Sequence, residues 1–136
     1  MSLELQETKI YRIIDANLNR YKEGIRVVED TLRYGFNEKS LALKLKVLRH
    51  LANLDSSQEF IEFRDASSDV LKHTLSLELN RTNLKDIIIA NLKRSQESSR
   101  VLEELFKIVD IEISEKFKSA RYQLYTLEKE ILKLNL

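Results

Sequence analysis

The chain has 136 residues, 43% of them hydrophobic and 33% charged, and this balance is typical of one globular domain with a hydrophobic core. Its 23 basic and 22 acidic residues leave a formal net charge of +1, without the basic excess that a nucleic-acid-binding surface requires. Cysteine is absent, so a disulfide framework and a thiolate metal site are both excluded. We therefore expect no nucleic-acid partner.

The N-terminal segment lacks the basic start and the apolar stretch of a signal peptide, so we expect a cytoplasmic protein. The longest run of apolar residues, Ile87 to Ala90, is far shorter than the roughly 20 residues that a membrane-spanning helix needs. No membrane partner is expected either. Because the chain contains no proline and only two glycines, it should form long, uninterrupted helices.

One segment of the chain occurs twice. Residues 13–30 match residues 87–104 at a constant shift of 74 positions, and ten of the eighteen pairs are identical. The shared string is Asn-Leu-x-Arg-x-x-Glu-x-x-Arg-Val-x-Glu, which is too specific for a chance similarity between two helices. We predict a single all-α domain over residues 1–136, with repeat units at about 8–54 and 82–134 and a connecting segment at about 55–81.

The first repeat unit predicts a helical hairpin. Steps of three and four residues connect the apolar seam of its first helix, which comprises Ile14, Leu18, Tyr21, Ile25, Val28 and Leu32. Gly35 stands where glycine commonly serves as a C-terminal cap. A second helix follows, with Asn37 or Ser40 as its N-cap. Its apolar seam comprises Leu41, Leu45, Leu48 and Ala52.

The connecting segment predicts a short helix followed by a polar loop. Residues 56–59 read Ser-Ser-Gln-Glu, the pattern of a capping box, which indicates a helix from Gln58 to Phe63. The polar residues after it should form a loop over the bundle, where binding residues often lie. In this loop Arg64 is a phosphate-binding residue type, while Asp65 and Asp69 are candidate magnesium ligands.

The second repeat unit predicts another hairpin, so the expected fold is a four-helix bundle made from two duplicated helical hairpins. The seam of its first helix comprises Ile88, Leu92, Ser95, Ser99, Leu102, Phe106 and Val109. The seam of its last helix, with Ser114 as the N-cap, comprises Phe117, Ala120, Leu124, Leu127, Ile131 and Leu134. The two seam serines either make room for the large Tyr21 side chain or line a ligand cavity.

An arginine interrupts an apolar row beside the seam of the long helix in each repeat unit. Arg20 and Arg94 are expected to be half-buried there, and a half-buried guanidinium needs an anionic partner. A glutamate three residues on can supply one. These polar residues either face a pocket inside the bundle or form a structural network that fixes how the hairpins pack. The candidate residues are Asn17, Arg20 and Glu23 in the first copy and Asn91, Arg94 and Glu97 in the second.

Arg26 and Arg100 also recur in both copies, each with acidic residues three and four positions later. This spacing suits an exposed salt bridge worth only about 0.3–0.5 kcal/mol, which explains poorly why both copies keep it. We therefore consider two interpretations of these arginines: they bind substrate, or they belong to a solvated helix face.

Residues 11–30 resemble the helical domain found in front of some bacterial thiamine phosphate synthases. That domain also carries a second Ala-Asn-x-x-Arg-x-x-Glu-x-x-Arg-Val-Leu-Glu-Glu string, which residues 90–104 match. Its Arg-…-Asp-Val-Gly loop is matched in part by Arg64 and Asp69, with Leu71 in place of the glycine. The resemblance covers most of the chain.

This resemblance implies a hydroxymethylpyrimidine phosphate kinase, which transfers the γ-phosphoryl group of ATP to hydroxymethylpyrimidine phosphate with the help of Mg²⁺. The product would feed thiamine phosphate synthase in thiamine biosynthesis. Because phosphoryl transfer depends on positioned positive charge, the arginines of the repeats and the loop would bind phosphates. The remaining roles would be magnesium binding by Asp69 or Asp65, orientation of the attacking hydroxyl by Glu23 or Glu97, and recognition of the aminopyrimidine by Asn17 or Asn91.

The alternative is that the chain is not an enzyme. The same helical domain could act as an accessory module that docks onto thiamine phosphate synthase, or as a dimerisation module. A homodimer is compatible with either interpretation, because an apolar seam can pair within one chain or between two.

Overall fold

The computed structural model describes residues 2–136, apart from the side chains of residues 77 and 78. Within these residues the chain forms helices and no strand, which confirms the all-α prediction. The helices are α1 (Leu3–Asp30), α2 (Lys39–His50), α3 (Ser57–Ile61), α4 (Leu84–Val109) and α5 (Ile111–Leu132). A π-helical turn, Thr31–Gly35, continues α1, and a 3-10 turn, Ser76–Leu79, precedes α4.

Helices α1 and α4 form the centre of the bundle. They share the most extensive interface between helices, while α2 packs against α1, α5 packs against α4, and α2 and α5 touch only slightly. The short helix α3 packs on one end of this pair, where the ring of Phe60 lies edge-on to Tyr11 at 5.1 Å and to Phe106 at 5.8 Å between ring centres. The arrangement is consistent with the predicted bundle of two hairpins.

The predicted apolar seams form the hydrophobic core. Every seam residue of the first hairpin is buried, and so are those of the second hairpin except Val109 and Leu134. Val109 is exposed because it ends α4, and Leu134 is only partly buried because it lies beyond the end of α5. In the described part of the chain, no helix has the combination of length and apolar character that crossing a membrane requires.

Small residues allow α1 and α4 to approach each other closely. A Cβ atom at Gly24 would lie 2.8 Å from the carbonyl oxygen of Asn91 and would collide with the Oγ of Ser95. The Ser95 hydroxyl donates a hydrogen bond to the carbonyl oxygen of Tyr21, 3.1 Å away, and the hydroxyl of Ser99 donates within α4. Both serines are fully buried, so these contacts fit the packing explanation and not a cavity wall.

The end of the first long helix differs from the prediction. Gly35 closes the π-helical turn, but the residue with a positive φ is Asn37, at 53°. Asparagine tolerates this conformation because its short polar side chain can bond locally. The N–H of Glu38 then donates to the carbonyl oxygen of Leu32 at 3.0 Å. Since Glu38 is also the N-cap of α2, the predicted caps Asn37 and Ser40 are wrong.

The predicted N-cap of the last helix is also wrong. Helix α5 begins after Asp110, whose backbone is extended and whose side chain accepts hydrogen bonds from the N–H groups of Glu112 and Ile113. An extended backbone is what an N-cap requires. Ser114 is instead buried inside the first turn, where its hydroxyl donates to the carbonyl oxygen of Glu103 at 2.6 Å.

The short helix of the connecting segment forms, although its bounds and its cap differ from the prediction. It runs from Ser57 to Ile61 instead of from Gln58 to Phe63. Ser56 precedes the helix without a side-chain capping hydrogen bond, so the predicted capping box is wrong. Its ψ of 2° is far from the extended conformation that aims a capping hydroxyl at the helix.

Candidate functional site

The arginines that interrupt the apolar rows lie at the surface of the bundle. Arg20 and Arg94 are both exposed, and none of the ion pairs in the described residues involves either guanidinium. Ile13 and Val27, the row neighbours of Arg20, are 41% and 37% exposed, while Ile87 and Val101, those of Arg94, are partly buried. The predicted half-buried position beside an interior pocket is therefore wrong. The close approach of α1 to α4 at Gly24 leaves no room for these rows between the helices.

Asn17 and Asn91 make the same hydrogen bond in both repeat units. Each side-chain nitrogen donates to the carbonyl oxygen four residues earlier, at 2.9 Å for Asn17 and 2.8 Å for Asn91. Such a bond holds the amide against its own helix. Glu23 and Glu97, by contrast, are exposed and project toward solvent. The two triplets thus do not converge on one interior site.

Two glutamates at equivalent positions of the repeats form buried ion pairs. Arg49 donates to both carboxylate oxygens of Glu29, at 2.7 and 3.3 Å, and Arg121 donates to Glu103 at 2.9 Å. Glu29 is 1% exposed and Glu103 is 5% exposed, so these two of the possible acidic partners of Arg26 and Arg100 do not belong to a solvated helix face. Each pair connects the long helix of a repeat unit to the helix that follows it. The sequence signal for these pairs was that glutamate occurs at the same position in both copies of the repeat.

Arg26 and Arg100 occupy the exposed helix surface. Arg26 Nε lies 3.4 Å from Asp30 Oδ2, and Arg100 Nη2 lies 3.3 Å from Glu104 Oε1. Both pairs have the helix spacing expected from the sequence, and exposed pairs of this kind contribute little in water. A substrate-binding role for the two arginines stays a prediction.

Two arginines fix the connecting loop to α1. Arg64 donates from Nε and Nη2 to both carboxylate oxygens of Asp15, at 2.7 and 2.8 Å, and Arg12 donates to the carbonyl oxygen of Asp65 at 3.0 Å. Hydrogen bonding to Asp15, with a smaller contribution from the charge of Glu23, raises the pKa of the Arg64 guanidinium. Sequence reasoning missed Asp15 because the second copy has isoleucine there, and the repeat comparison selected identical positions.

The two loop acids take part in local turns. Asp65 Oδ1 accepts hydrogen bonds from the hydroxyl of Ser67 and the N–H of Ser68, both at 3.2 Å, and Asp69 Oδ1 accepts from the N–H of Leu71 at 2.9 Å. Hydrogen bonds from Ser68 and Ser67 lower the pKa of Asp65. Among the described residues, no three acidic or histidine side chains are grouped so that they could hold a metal ion. Magnesium binding by Asp65 and Asp69 stays a prediction.

A groove of about 450 Å³ runs along the surface between α4 and α5. Its lining residues are Lys93, Gln96, Glu97, Arg100, Arg121 and Tyr125. Two predicted site residues, Glu97 and Arg100, therefore lie together in this groove, while its other residues were not predicted. Two further grooves, one between α2 and α5 and one beside the π-helical turn, contain none of the predicted site residues.

The polar groups of the α4–α5 groove are only partly engaged with one another. Arg121 donates to the hydroxyl of Tyr125 at 3.3 Å, and this bond together with its glutamate ion pair raises the pKa of the guanidinium. Lys93 Nζ donates to Glu128 at 3.0 Å and to Gln96 Oε1 at 3.2 Å. Two buried donors, Gln96 Nε2 and Arg121 Nε, have no hydrogen-bond partner in the described part of the chain. The groove thus offers cations and spare donors to an acceptor-rich ligand.

The chain is similar to proteins named thiamine-phosphate synthase. The one from Nostoc punctiforme is 39% identical over 124 residues, which cover 90% of this chain and 35% of that protein. The one from Prochlorococcus marinus strain AS9601 is 35% identical over 128 residues, covering 93% of this chain and 36% of that protein. The one from Synechocystis sp. is 38% identical over 126 residues, covering 92% of this chain and 37% of that protein. No solved structure matches the chain.

The chain spans a little over a third of the length of the relatives that it matches. The ThiD2 family matches residues 12–130. That range includes both copies of the repeat string, the connecting loop and the whole α4–α5 groove. The chain therefore belongs to the ThiD2 family.

Proposed function

We propose that this chain acts in thiamine biosynthesis, at the step that supplies thiamine phosphate synthase with its pyrimidine substrate. Its relatives carry the name of that synthase, and the family match covers nearly all of this chain. The chain corresponds to only part of each relative, so it would contribute a function adjacent to the synthase reaction.

The reaction that we propose is the phosphorylation of hydroxymethylpyrimidine phosphate to its diphosphate. The hydroxymethyl oxygen attacks the γ-phosphorus of ATP, the bond between that phosphorus and the leaving ADP oxygen breaks, and a carboxylate takes the hydroxyl proton. Glu97 is the proposed proton acceptor, and Glu23 is the equivalent residue in the first copy. Mg²⁺ would enter with the nucleotide.

The observation that carries this proposal is the composition of the α4–α5 groove. Glu97, a group that can orient a hydroxyl, lines the same groove as Arg100 and Arg121, which are of the residue type that best binds phosphate oxygens. The exposed Arg20 and Arg94 remain proposed phosphate ligands from the neighbouring helix surface, because no protein carboxylate pairs with them in the described residues.

The decisive experiment is to incubate the purified chain with ATP, Mg²⁺ and hydroxymethylpyrimidine phosphate and to measure the diphosphate by phosphorus NMR. We expect product formation, and we expect Glu97→Gln to lower kcat by about 100-fold or more. Glu115→Gln is the matched control, because Glu115 is an exposed acid on α5 that does not line the groove. The absence of product from protein with a normal helical circular dichroism spectrum would end the kinase proposal.

A non-catalytic accessory module is a second candidate, and the comparisons favour it at least as strongly, because the relatives are named as synthases and not as kinases. The exposed apolar residues of the α1 and α4 rows offer a docking surface, with Ile13 41% and Ile108 64% exposed. If this candidate is right, calorimetry should detect binding to a separately purified thiamine phosphate synthase, and Ile13→Glu or Ile108→Glu should abolish it. Light scattering of the chain alone would show whether the same surface forms a homodimer.

A further inference from the structure

We propose that the α4–α5 groove binds the phosphate group of a small phosphomonoester through Arg100, Arg121 and the side-chain amide of Gln96. This inference rests on the proposed function, in which the substrate carries such a group before the reaction begins. It assigns that group to the second repeat unit and leaves the nucleotide to be bound elsewhere.

Two buried donors at the groove have no hydrogen-bond partner in the described part of the chain. Gln96 is 3% exposed and Arg121 is 9% exposed, yet Gln96 Nε2 and Arg121 Nε donate to no group in the described part of the chain. Buried polar groups are nearly always hydrogen-bonded in native proteins, so two unpaired donors in one groove indicate a ligand with acceptor atoms. Neither nitrogen can accept a hydrogen bond, which excludes a donor group of the ligand at this point.

The surrounding hydrogen bonds orient the Arg121 side chain. Its Nη1 donates to the Tyr125 hydroxyl and its Nη2 donates to Glu103, so both ends of the guanidinium are fixed. Of its three nitrogens only Nε has no partner, and Arg121 and Gln96 line the same groove. The tetrahedral oxygens of a phosphate can accept from several donors at once, which suits donors that belong to different helices.

The charges around the groove allow a phosphate to bind there. Two cations of the groove are each bonded to a glutamate outside its lining: Arg121 to Glu103 at 2.9 Å and Lys93 to Glu128 at 3.0 Å. Arg100 pairs at the surface with Glu104, an acid that is 45% exposed, and such a pair is weak enough to be exchanged for a dianion. Arg100 also lies 3.8 Å from the buried Glu103, whose closer bond to Arg121 is independent of Arg100. A phosphate can therefore recruit Arg100 without leaving a buried carboxylate unpaired.

Glu97 lines the same groove without an ion-pair partner in the described residues. A phosphomonoester that places its phosphate on the donors would direct its remaining polar groups toward this carboxylate. The first copy has Lys22 and Asn19 where the second has Gln96 and Lys93, so the arrangement is specific to the second repeat unit.

The test is a titration of the ¹⁵N-labelled chain with inorganic phosphate at constant ionic strength, without nucleotide or turnover. We expect the side-chain amide signal of Gln96 and the Nε–H signal of Arg121 to shift most. We expect Arg100→Gln to weaken phosphate binding about tenfold or more. Lys116→Gln is the matched control, because it removes one positive charge from α5 at an exposed position outside the groove, and its binding should stay within about twofold.

Failure of this inference can be separated from failure of the proposed function. If the Gln96 amide signal does not move in the unmodified chain, or if Arg100→Gln and Lys116→Gln lose affinity equally, the assignment of the phosphate is overturned even when the kinase assay is positive. If phosphate binds as described and the kinase assay is negative, the site stands and the proposed reaction falls.

Discussion

At the scale of single residues, two buried glutamates matter most for stability. Glu29 and Glu103 each follow an arginine by three positions on the same helix, but the arginine that contacts each carboxylate most closely lies on the next helix. Removing one member of a buried pair leaves an uncompensated charge, and this is far more costly than the loss of an exposed pair. The strength of the pairs thus depends on burial, which helix spacing alone does not reveal.

We expect Glu29→Ala to lower the free energy of unfolding by about 2–3 kcal/mol, somewhat less than for a fully buried pair. The reduction reflects the partial exposure of Arg49, 16% of whose side chain contacts water. Urea denaturation measures the change. Arg26→Ala is the control, since it removes only an exposed pair with Asp30 and should cost about 0.5 kcal/mol or less. Equal losses in the two variants would contradict the importance of burial.

Tyr21 should make the stability of the fold depend on pH in the alkaline range. Its side chain is fully buried and donates to the carbonyl oxygen of Leu48 at 2.6 Å, and burial raises its pKa above the ordinary value of 10.0. Above pH 10 the unfolded chain has therefore released the Tyr21 proton, which the folded chain still holds, so the free energy of unfolding falls as the pH rises. Below that pH Tyr21 is protonated in both states and does not change the stability. Urea midpoints should fall more steeply above pH 10 in the unmodified chain than in Tyr21→Phe. Tyr122→Phe, at an exposed position, should keep the steep slope.

At the scale of helices, apolar periodicity located all four long helices because burial repeats over many turns of each seam. The caps were not predictable in the same way, since each depends on the backbone conformation of a single residue. Asp110 caps α5 because its backbone is extended, and Asn37 turns the chain because it adopts a positive φ. Neither conformation follows from the residue type alone.

The residues of the candidate site were also only partly predictable from the sequence. Glu97 and Arg100 could be selected from the sequence because they recur in both copies, whereas Gln96 and Arg121 do not. The position of Arg121 in the groove depends on how α5 packs against α4, and this is a tertiary contact that no local pattern records. Identical positions in the repeat therefore locate two of the six residues that line the groove, and the other four do not recur in the first copy.

The two glycines provide a matched test of the α1–α4 contact. Glycine to alanine in a helix normally stabilises it by up to about 1 kcal/mol. At Gly24 the added Cβ would lie 2.8 Å from a backbone oxygen of α4, so we expect Gly24→Ala to destabilise the fold by about 1–3 kcal/mol. Gly35→Ala has free space and should be neutral or stabilising by about 0.5 kcal/mol. A Gly24→Ala variant as stable as the unmodified chain would contradict the close approach.

At the scale of the whole molecule, the two hairpins share one core. The most extensive interface of α1 is with α4 of the other hairpin, and aromatic contacts also join them. Tyr21 lies edge-on to Phe117 at 5.3 Å, and Phe60 of the connecting segment lies 5.8 Å from Phe106. Neither hairpin can therefore bury its seam alone.

We expect separate peptides of residues 1–56 and 82–136 to lack cooperative unfolding, because each exposes the face that the other covers. Their helical circular dichroism should rise when the two are mixed in equal amounts. A first peptide that unfolds cooperatively by itself would show that one hairpin is an independent folding unit.

The hydrogen bond between Ser95 and Tyr21 bears on how the duplicated fold arose. The two residues occupy the same position of the repeat, so their contact marks an approximate two-fold axis. In an ancestral assembly of two identical chains this residue would have faced itself, where two tyrosines would collide and two serines would leave a void. Within one polypeptide that restriction does not apply, because each copy can mutate separately. Divergence between the copies should accordingly be greatest along this axis.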